Sequence, residues 1–357
     1  MHVGSSTFFQ NHRQAMTDLE VYQNELRLAD MVEPLGFDSI WGVEHHFTDY
    51  TMCPDVLQFL SYMAGRTQTV QLGSMVVVLP WHDPLRVAEQ FSVLDHLSAG
   101  RAIIGVGRGL ARVEFDGFKI EMSESRARFA ESTKLLVDAL EEGFAEFQGE
   151  LIEQPRVEIR PRPYKSFKGR TYAAAVSPES SLALAQLGLG MLIIPQKPWS
   201  EVEAELKSYR EIYQEINGEP APPPIVVGFT FCHKDEETAR EMASEYIGNY
   251  WDSIMDHYEF HSDHLKETKG YEYYSKFTEK IEQYGNQDVK DFFLDLQVWG
   301  TPDQCYEKIM KTRGRTGSES YIGAFSFGGM PYGEVEKSMK LFAEKVMPRL
   351  KEVLAVV

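Results

Sequence analysis

About eight times along the chain a short β-branched or apolar run is followed by a longer amphipathic segment, and this alternation restricts the fold more than any other feature. "HVGSSTFF" precedes Ala15 to Leu35, where Met16, Leu19, Leu26, Ala29, Met31 and Val32 recur at roughly helical spacing. "FDSIWGV" precedes Pro54 to Gly65, with Pro54 suited to a first helical turn. "VQLGSMVVVLP" precedes "DPLRVAEQFSVLDHLSAG", a predicted helix capped by Asp83, with Pro84 in its first turn and Gly100 at its stop. "RAIIGVG" leads through a loop into Ser123 to Glu142, and "RTYAAAV" precedes "SPESSLALAQLG". "GMLIIP" precedes Ser200 to Asn217, "PIVVGFTF" precedes "DEETAREMASEYIGNYWDSI", and "SYIGAFSF" precedes a helix from Gly333 to about Leu354. Eight strands, each followed by a helix, predict an α/β fold closed into a TIM (β/α)8 barrel rather than an open sheet.

The 357 residues, 43% of them hydrophobic, can bury one large core, and no repeat, low-complexity tract or linker divides them. A single domain over 1–357 is therefore expected, with two insertions. One, 147–168, is rich in Pro and Arg; the other, 257–299, is polar and aromatic and reads as a long, weakly structured segment of the kind that serves as a lid. The net charge of -18 argues against nucleic acid, whose phosphates need clustered Lys and Arg, so the expected partner is a small molecule or another protein. Cys53, Cys232 and Cys305 lack the spacing of a zinc site or a disulfide framework and read as reduced thiols of a cytoplasmic protein. No segment reads as a signal peptide or approaches the roughly 20 apolar residues that span a bilayer.

Active sites of such barrels lie at the C-terminal ends of the strands. That rule selects Glu44, His45 and His46 after strand two, "VVLPWH" after strand three, Arg108 after strand four and Ser177 after strand five. His45 admits a structural, a metal-ligating or an acid/base and flavin-contacting reading. HExxH spacing is absent and His82 is the only other nearby strand-end histidine, so no metal is expected. "GVGRGL" lacks the third glycine of a dinucleotide fingerprint, since position 110 is Leu; its small residues suit close approach of a planar ligand, and Arg108 suits a phosphate. Arg126, in "SESRARFAE", offers a second positive charge, although either arginine alone is more commonly a surface ion-pair partner. "VSPESS", from Val176 to Ser181, reads either as a plain N-cap or as hydroxyls and backbone N–H groups for a phosphate at a helix N-terminus. The combination is more specific than any member.

These segments resemble the bacterial luciferase family of flavin-dependent monooxygenases, and within it the luciferase α subunit. "GFDSIWGVEHHFTDY", "VVVLPWHDPLRVAEQFSVLDHLSAGR", "GVGRGL", "SRARFAE", "VWGTPDQC" and "SMKLFAEKVMPRLKE" match successive family segments over nearly the whole chain. The resemblance implies a luciferase-like TIM barrel that binds reduced FMN, whose C4a position reacts with O2 to give a peroxyflavin that oxidises an apolar organic substrate such as an aldehyde or ketone. By the same resemblance His45 is the catalytic histidine, Glu44 lies by the flavin, Arg108 and Arg126 hold the phosphate with Ser177 and Ser180, and a non-prolyl cis peptide joins Met75 to Val76 beneath the ring. Met75, Val76, Gly107, Leu110 and Val176 are the other positions expected to contact the cofactor. Gly107 and Val176 stand where the α subunit has cysteine and glutamate, which leaves more room by the flavin and removes one polar anchor. The tryptophan after strand six is replaced within "IIPQKPW". Lys276 and Lys280 of the lid segment are within expected reach of an anionic cofactor, while His46 receives no role beyond a supporting neighbour. The resemblance further implies a separate NAD(P)H:FMN reductase and a homodimer or heterodimer through the helix from Pro84 to Ala99. Two alternatives remain open: an F420-dependent oxidoreductase on the same barrel, and a non-catalytic supporting subunit.

Overall fold

The computed structural model describes the backbone of residues 1–174 and 180–353, and their side chains apart from those at 180, 275–278, 280 and 282. Eight parallel strands form its centre: β1 (His2–Thr7), β2 (Ser39–Gly42), β3 (Gln71–Ser74), β4 (Ala102–Gly107), β5 (Thr171–Ala174), β6 (Gly190–Ile193), β7 (Ile225–Cys232) and β8 (Ser320–Ala324). Each pairs with the next, and β8 pairs with β1, so the sheet closes as the predicted TIM barrel. Helices cover the outside and side chains fill the inside, so these strands are buried on both faces and read as near-continuous apolar runs rather than alternating ones. Trp41 of β2 shows how the interior is filled. Its indole is fully buried and donates to Ser39 Oγ at 2.8 Å, and a Cβ placed on Gly73 would lie 2.4 Å from its ring.

Local chemistry sets the helix ends. Asp83 accepts from Leu85 N and Arg86 N with Pro84 at the first turn of Pro84–Leu97, as the sequence predicts. Asp235 caps Glu236–His257 in the same way. Several boundaries differ from the expected ones, and two have a plain cause. Asp55 caps Val56–Ala64, which leaves Pro54 outside that helix. The last helix divides into Tyr332–Lys345 and Met347–Lys351, because Pro348 lacks the N–H that a continuous helix would use.

The two insertions take defined forms. An antiparallel hairpin pairs Phe144–Gln148 with Glu153–Glu158. Segment 257–299, read from sequence as weakly structured, contains helices His264–Glu267, Glu272–Tyr284 and Asn286–Asp295, and its end, Val298–Gly300, adds beside the last residues of β7. Among the described residues no helix is long and apolar enough to cross a membrane. The three cysteines are buried and free.

Candidate active site

The C-terminal ends of the strands open into a cavity of about 250 Å3 with largely aromatic and aliphatic walls, among them Phe8, Phe229, Tyr250, Trp251 and Ile254. Glu44, His45, Met75, Val76, Gly107, Arg108, Leu110 and Arg126 all line it, so eight positions scattered over 83 residues of sequence, from 44 to 126, converge there. Ser180 opens the helix Ser180–Gln186, whose Ala183 and Leu184 line the same cavity; the Ser180 side chain is outside the described set. Val176 and Ser177 lie outside the described residues, as do the side chains of Lys276 and Lys280.

β3 ends at Ser74, the Met75–Val76 peptide is cis, and Val77–Val78 then pairs with the end of β4. This brings Val76 against Gly107. A Cβ on Gly107 would stand 2.4 Å from Val76 Cγ2, so the floor between them has room for no further side chain. Gly109, at φ +81°, turns the chain away from β4 in a conformation that favours glycine.

Glu44 is buried with both oxygens engaged. Oε1 lies 2.7 Å from His82 Nε2 and 3.0 Å from His46 Nε2, and Oε2 accepts the Val78 N–H at 3.1 Å. Burial opposes the carboxylate, but hydrogen bonds from the two imidazoles outweigh it and hold the group below its usual range. For His82 burial likewise disfavours the charge, and the bond to Glu44 more than offsets it, raising the imidazole pKa. His46, without a role from sequence, is thus half of the clamp on Glu44.

His45 belongs to a second cluster. Its Nδ1 is 2.9 Å from Glu114 Oε1 and 3.2 Å from His257 Nε2, and its Nε2 is 3.4 Å from the Tyr258 hydroxyl. Glu114 Oε1 also accepts the His46 N–H at 2.8 Å, whereas Oε2 is buried with no hydrogen-bond partner. Burial pushes the Glu114 carboxyl up, but attraction to His45 and His257 and the hydrogen bond from His45 win and bring it to about 2. His257, held by Thr48 Oγ1 at 3.0 Å from its Nδ1, is pushed down chiefly by burial. Around them Tyr50 and Tyr250 are buried and Tyr258 is half-buried; desolvation of the three hydroxyls raises their pKa values, so they keep their protons. Each cluster brings a glutamate and two histidines within 4.8 Å, a ligand type and spacing that a divalent metal also accepts. The sequence offered only His82 as a further strand-end histidine and missed Glu114, His257 and the tyrosines. A signal for Glu114 existed: it is an acid flanked by Val113 and Phe115 in the helix "RVEFDGF", Arg112–Phe118, that follows the strand-four loop.

The arginines meet elsewhere on the cavity wall. Arg108 Nη1 donates to the Gly270 carbonyl at 2.7 Å and Arg126 Nη2 to the same oxygen at 3.4 Å. The Arg108 guanidinium lies 4.1 Å from the centre of the Tyr271 ring, and the Tyr271 hydroxyl donates to Gly109 O at 2.9 Å. Segment 257–299 therefore reaches the arginine pair through the Gly270 carbonyl.

The model of the luciferase-like monooxygenase family matches residues 1–319. The alkanal monooxygenase alpha chain of Photobacterium leiognathi is 31% identical over 337 residues, covering 93% of this chain and 94% of its own. Among solved structures, monooxygenase RslO1 from Streptomyces bottropensis superposes with a TM-score of 0.81 at 25% identity, covering 98% and 99% of the two chains. Two others share the fold at lower identity. The oxygenating constituent of 3,6-diketocamphane monooxygenase from Pseudomonas putida, in complex with FMN, has a TM-score of 0.73 at 17% identity and 99% coverage of both chains. An F420-dependent secondary alcohol dehydrogenase has a TM-score of 0.73 at 16% identity, with 97% and 98% coverage.

Proposed function

Since the chain belongs to the luciferase-like monooxygenase family, we propose that it is an FMN-dependent, two-component monooxygenase that uses reduced FMN and O2 to oxidise an apolar organic substrate such as an aldehyde or ketone. One observation carries this reading: a single cavity is lined both by two guanidiniums that share one oxygen acceptor and by the paired imidazole of His45. A phosphate monoester presents several such oxygens in one group, so it suits the place that the Gly270 carbonyl holds. The bare floor at Gly107 and the apolar walls suit a flat ring system.

When bound, reduced FMN supplies the electrons that split O2, one oxygen atom passing to the substrate and the other leaving as water. The chain's residues do the rest. Arg108 and Arg126 hold the phosphate, and the family resemblance assigns Ser177 and Ser180 to the same group, with Val176 in place of a polar anchor. Met75, Val76, Gly107 and Leu110 form the surface against the ring. Glu44, with both oxygens already engaged, acts through the Val78 backbone that it fixes. His45 takes or returns a proton at Nε2, and the aromatic wall keeps water from the reacting centre. Reduced flavin comes from a separate NAD(P)H:FMN reductase, and chains associate in pairs through the helix Pro84–Leu97.

Anaerobic titration with reduced FMN and with reduced F420, followed by turnover under 18O2 with a panel of alkanals and ketones, tests this reading. Reduced FMN should bind preferentially, and one 18O atom should appear in an organic product. Arg108→Ala and Arg126→Ala should each weaken FMN binding about tenfold or more, as expected for loss of a charge-assisted bond worth about 1.5–3 kcal/mol. His45→Ala should leave binding within about twofold and lower turnover about 100-fold or more. Preference for F420 would replace the cofactor assignment, and flavin binding without labelled product would favour a supporting subunit.

A further inference from the structure

We propose that Glu114, His257 and Thr48 form a positioning chain that presents the His45 Nε2 lone pair to the cavity; the inference rests on the acid/base role proposed for His45. The hydrogens can be assigned from the partners alone. Thr48 Oγ1 accepts the Tyr50 N–H at 3.4 Å and has a second lone pair free for His257 Nδ1 at 3.0 Å. His257 Nε2 lies 3.2 Å from His45 Nδ1, so only one of these two nitrogens carries a proton. Since Glu114 stays a carboxylate, it accepts, and His45 Nδ1 must donate to it across 2.9 Å. His257 Nε2 accepts from the same His45 N–H, so His257 carries its proton on Nδ1 and donates it to Thr48 Oγ1, while the N–H groups of His45 and the His46 backbone converge on Glu114 Oε1. His45 is left with its lone pair on Nε2, where the Tyr258 hydroxyl approaches to 3.4 Å. Tyr50, edge-on to the His45 ring with centroids 4.8 Å apart, completes the set of titratable neighbours, and like Tyr258 it keeps its proton.

The Glu44 cluster shows the contrast. There one oxygen takes two imidazoles and the other takes a backbone amide, so the carboxylate is satisfied and faces no free acceptor. Glu114 instead crowds its donors on Oε1 and leaves Oε2 buried and unpartnered, an arrangement that holds an imidazole in one orientation rather than spreading bonds for stability. Because Glu114 comes from the helix after β4 and His257 from the last residue of Glu236–His257, the chain also fixes the start of segment 257–299 to His45.

Long-range 15N NMR of the flavin-free protein tests the assignment without any turnover. His45 should show a single tautomer protonated at Nδ1, and His257 also one protonated at Nδ1. Glu114→Gln should abolish the His45 preference, Glu114→Asp should retain part of it, and Thr48→Val should scramble His257 while leaving His45 nearly unchanged. In turnover, Glu114→Gln should lower kcat about tenfold while KM for flavin stays within about twofold. An unchanged His45 tautomer in Glu114→Gln overturns the proposal. So does one equivalent of zinc retained by wild type after chelator dialysis and lost in His257→Gln, which would make the cluster a metal site. Should Glu114→Gln not fold, Thr48→Val decides alone, an unchanged His257 tautomer counting against the chain. The tautomers are read without flavin, so correct tautomers with no 18O product would instead reject the proposed reaction.

Discussion

Glu114 links the site to acid stability. Its carboxyl titrates at about 2 in the folded protein against an ordinary 4.5, so the unfolded chain binds the proton first as pH falls. The stabilisation is fully present above about pH 4.5 and is lost progressively towards pH 2; a shift of this size corresponds to something on the order of 3 kcal/mol. Other groups add to the acid response. Glu33, for example, is brought to about 2, despite its burial, by hydrogen bonds from Thr69, Gln68 and Val70. The informative quantity is therefore the stability difference between wild type and Glu114→Gln. Urea unfolding at pH 6, 4 and 3 should show it shrinking by about 2 kcal/mol over that range, and a constant difference would mean the carboxylate is not held by its imidazole partners. The same pairings mark the limit of what single residues reveal in sequence. Glu44, His45, Arg108 and Arg126 were legible because strand ends and their following turns announce them. Glu114 and His257 meet His45 across 69 and 212 residues, and no local pattern encodes such a partner.

Among the elements, the β3–β4 floor has the least tolerance. Val76 is placed where a Cβ on Gly107 would sit 2.4 Å from Cγ2, and a β-branched side chain has few rotamers into which it can retreat. Gly107→Ala should therefore push Val76 into the cavity, weakening FMN about tenfold while changing Tm by a few degrees at most; unchanged flavin affinity would show that the ring lies elsewhere. The barrel itself was legible because each strand is a buried apolar run and several helices carry side-chain caps, Asp83 and Asp235 among them. What was misread followed from competition between local signals. Pro54 suits a first helical turn, but Asp55 beside it accepts the Gln58 N–H as the cap, so the helix starts two residues later, at Val56. Segment 257–299 looked loose because its polar and aromatic residues obscure a helical period; Leu265, Tyr271 and Phe293 are the buried anchors that tie it to the barrel. Tyr271 does so through Arg108 and Gly109, contacts that depend on the tertiary fold.

For the whole molecule, charge and exposed apolar surface act in opposite directions on association. A chain of net charge -18 repels its own copies, so pairing needs a local apolar face. The packed helices Val56–Ala64 and Pro84–Leu97 provide one: Tyr62 is 49% exposed, Val93 41% and Leu97 57%, with Val93 and Leu97 one helical turn apart. Burying these side chains against a second copy, or against a related chain carrying the same face, would remove them from water. The repulsion is long-ranged and therefore sensitive to salt, since the screening length falls from about 30 Å at 10 mM to about 8 Å at 0.15 M, whereas apolar contact is not. Light scattering should consequently show dimers that tighten as salt is raised over this range. Leu97→Glu should give monomers at both ionic strengths, because burial of an unpaired carboxylate costs several kcal/mol. FMN affinity should stay within about twofold, as Leu97 does not line the cavity. Association that weakens with added salt would instead point to charge pairing and to a different face.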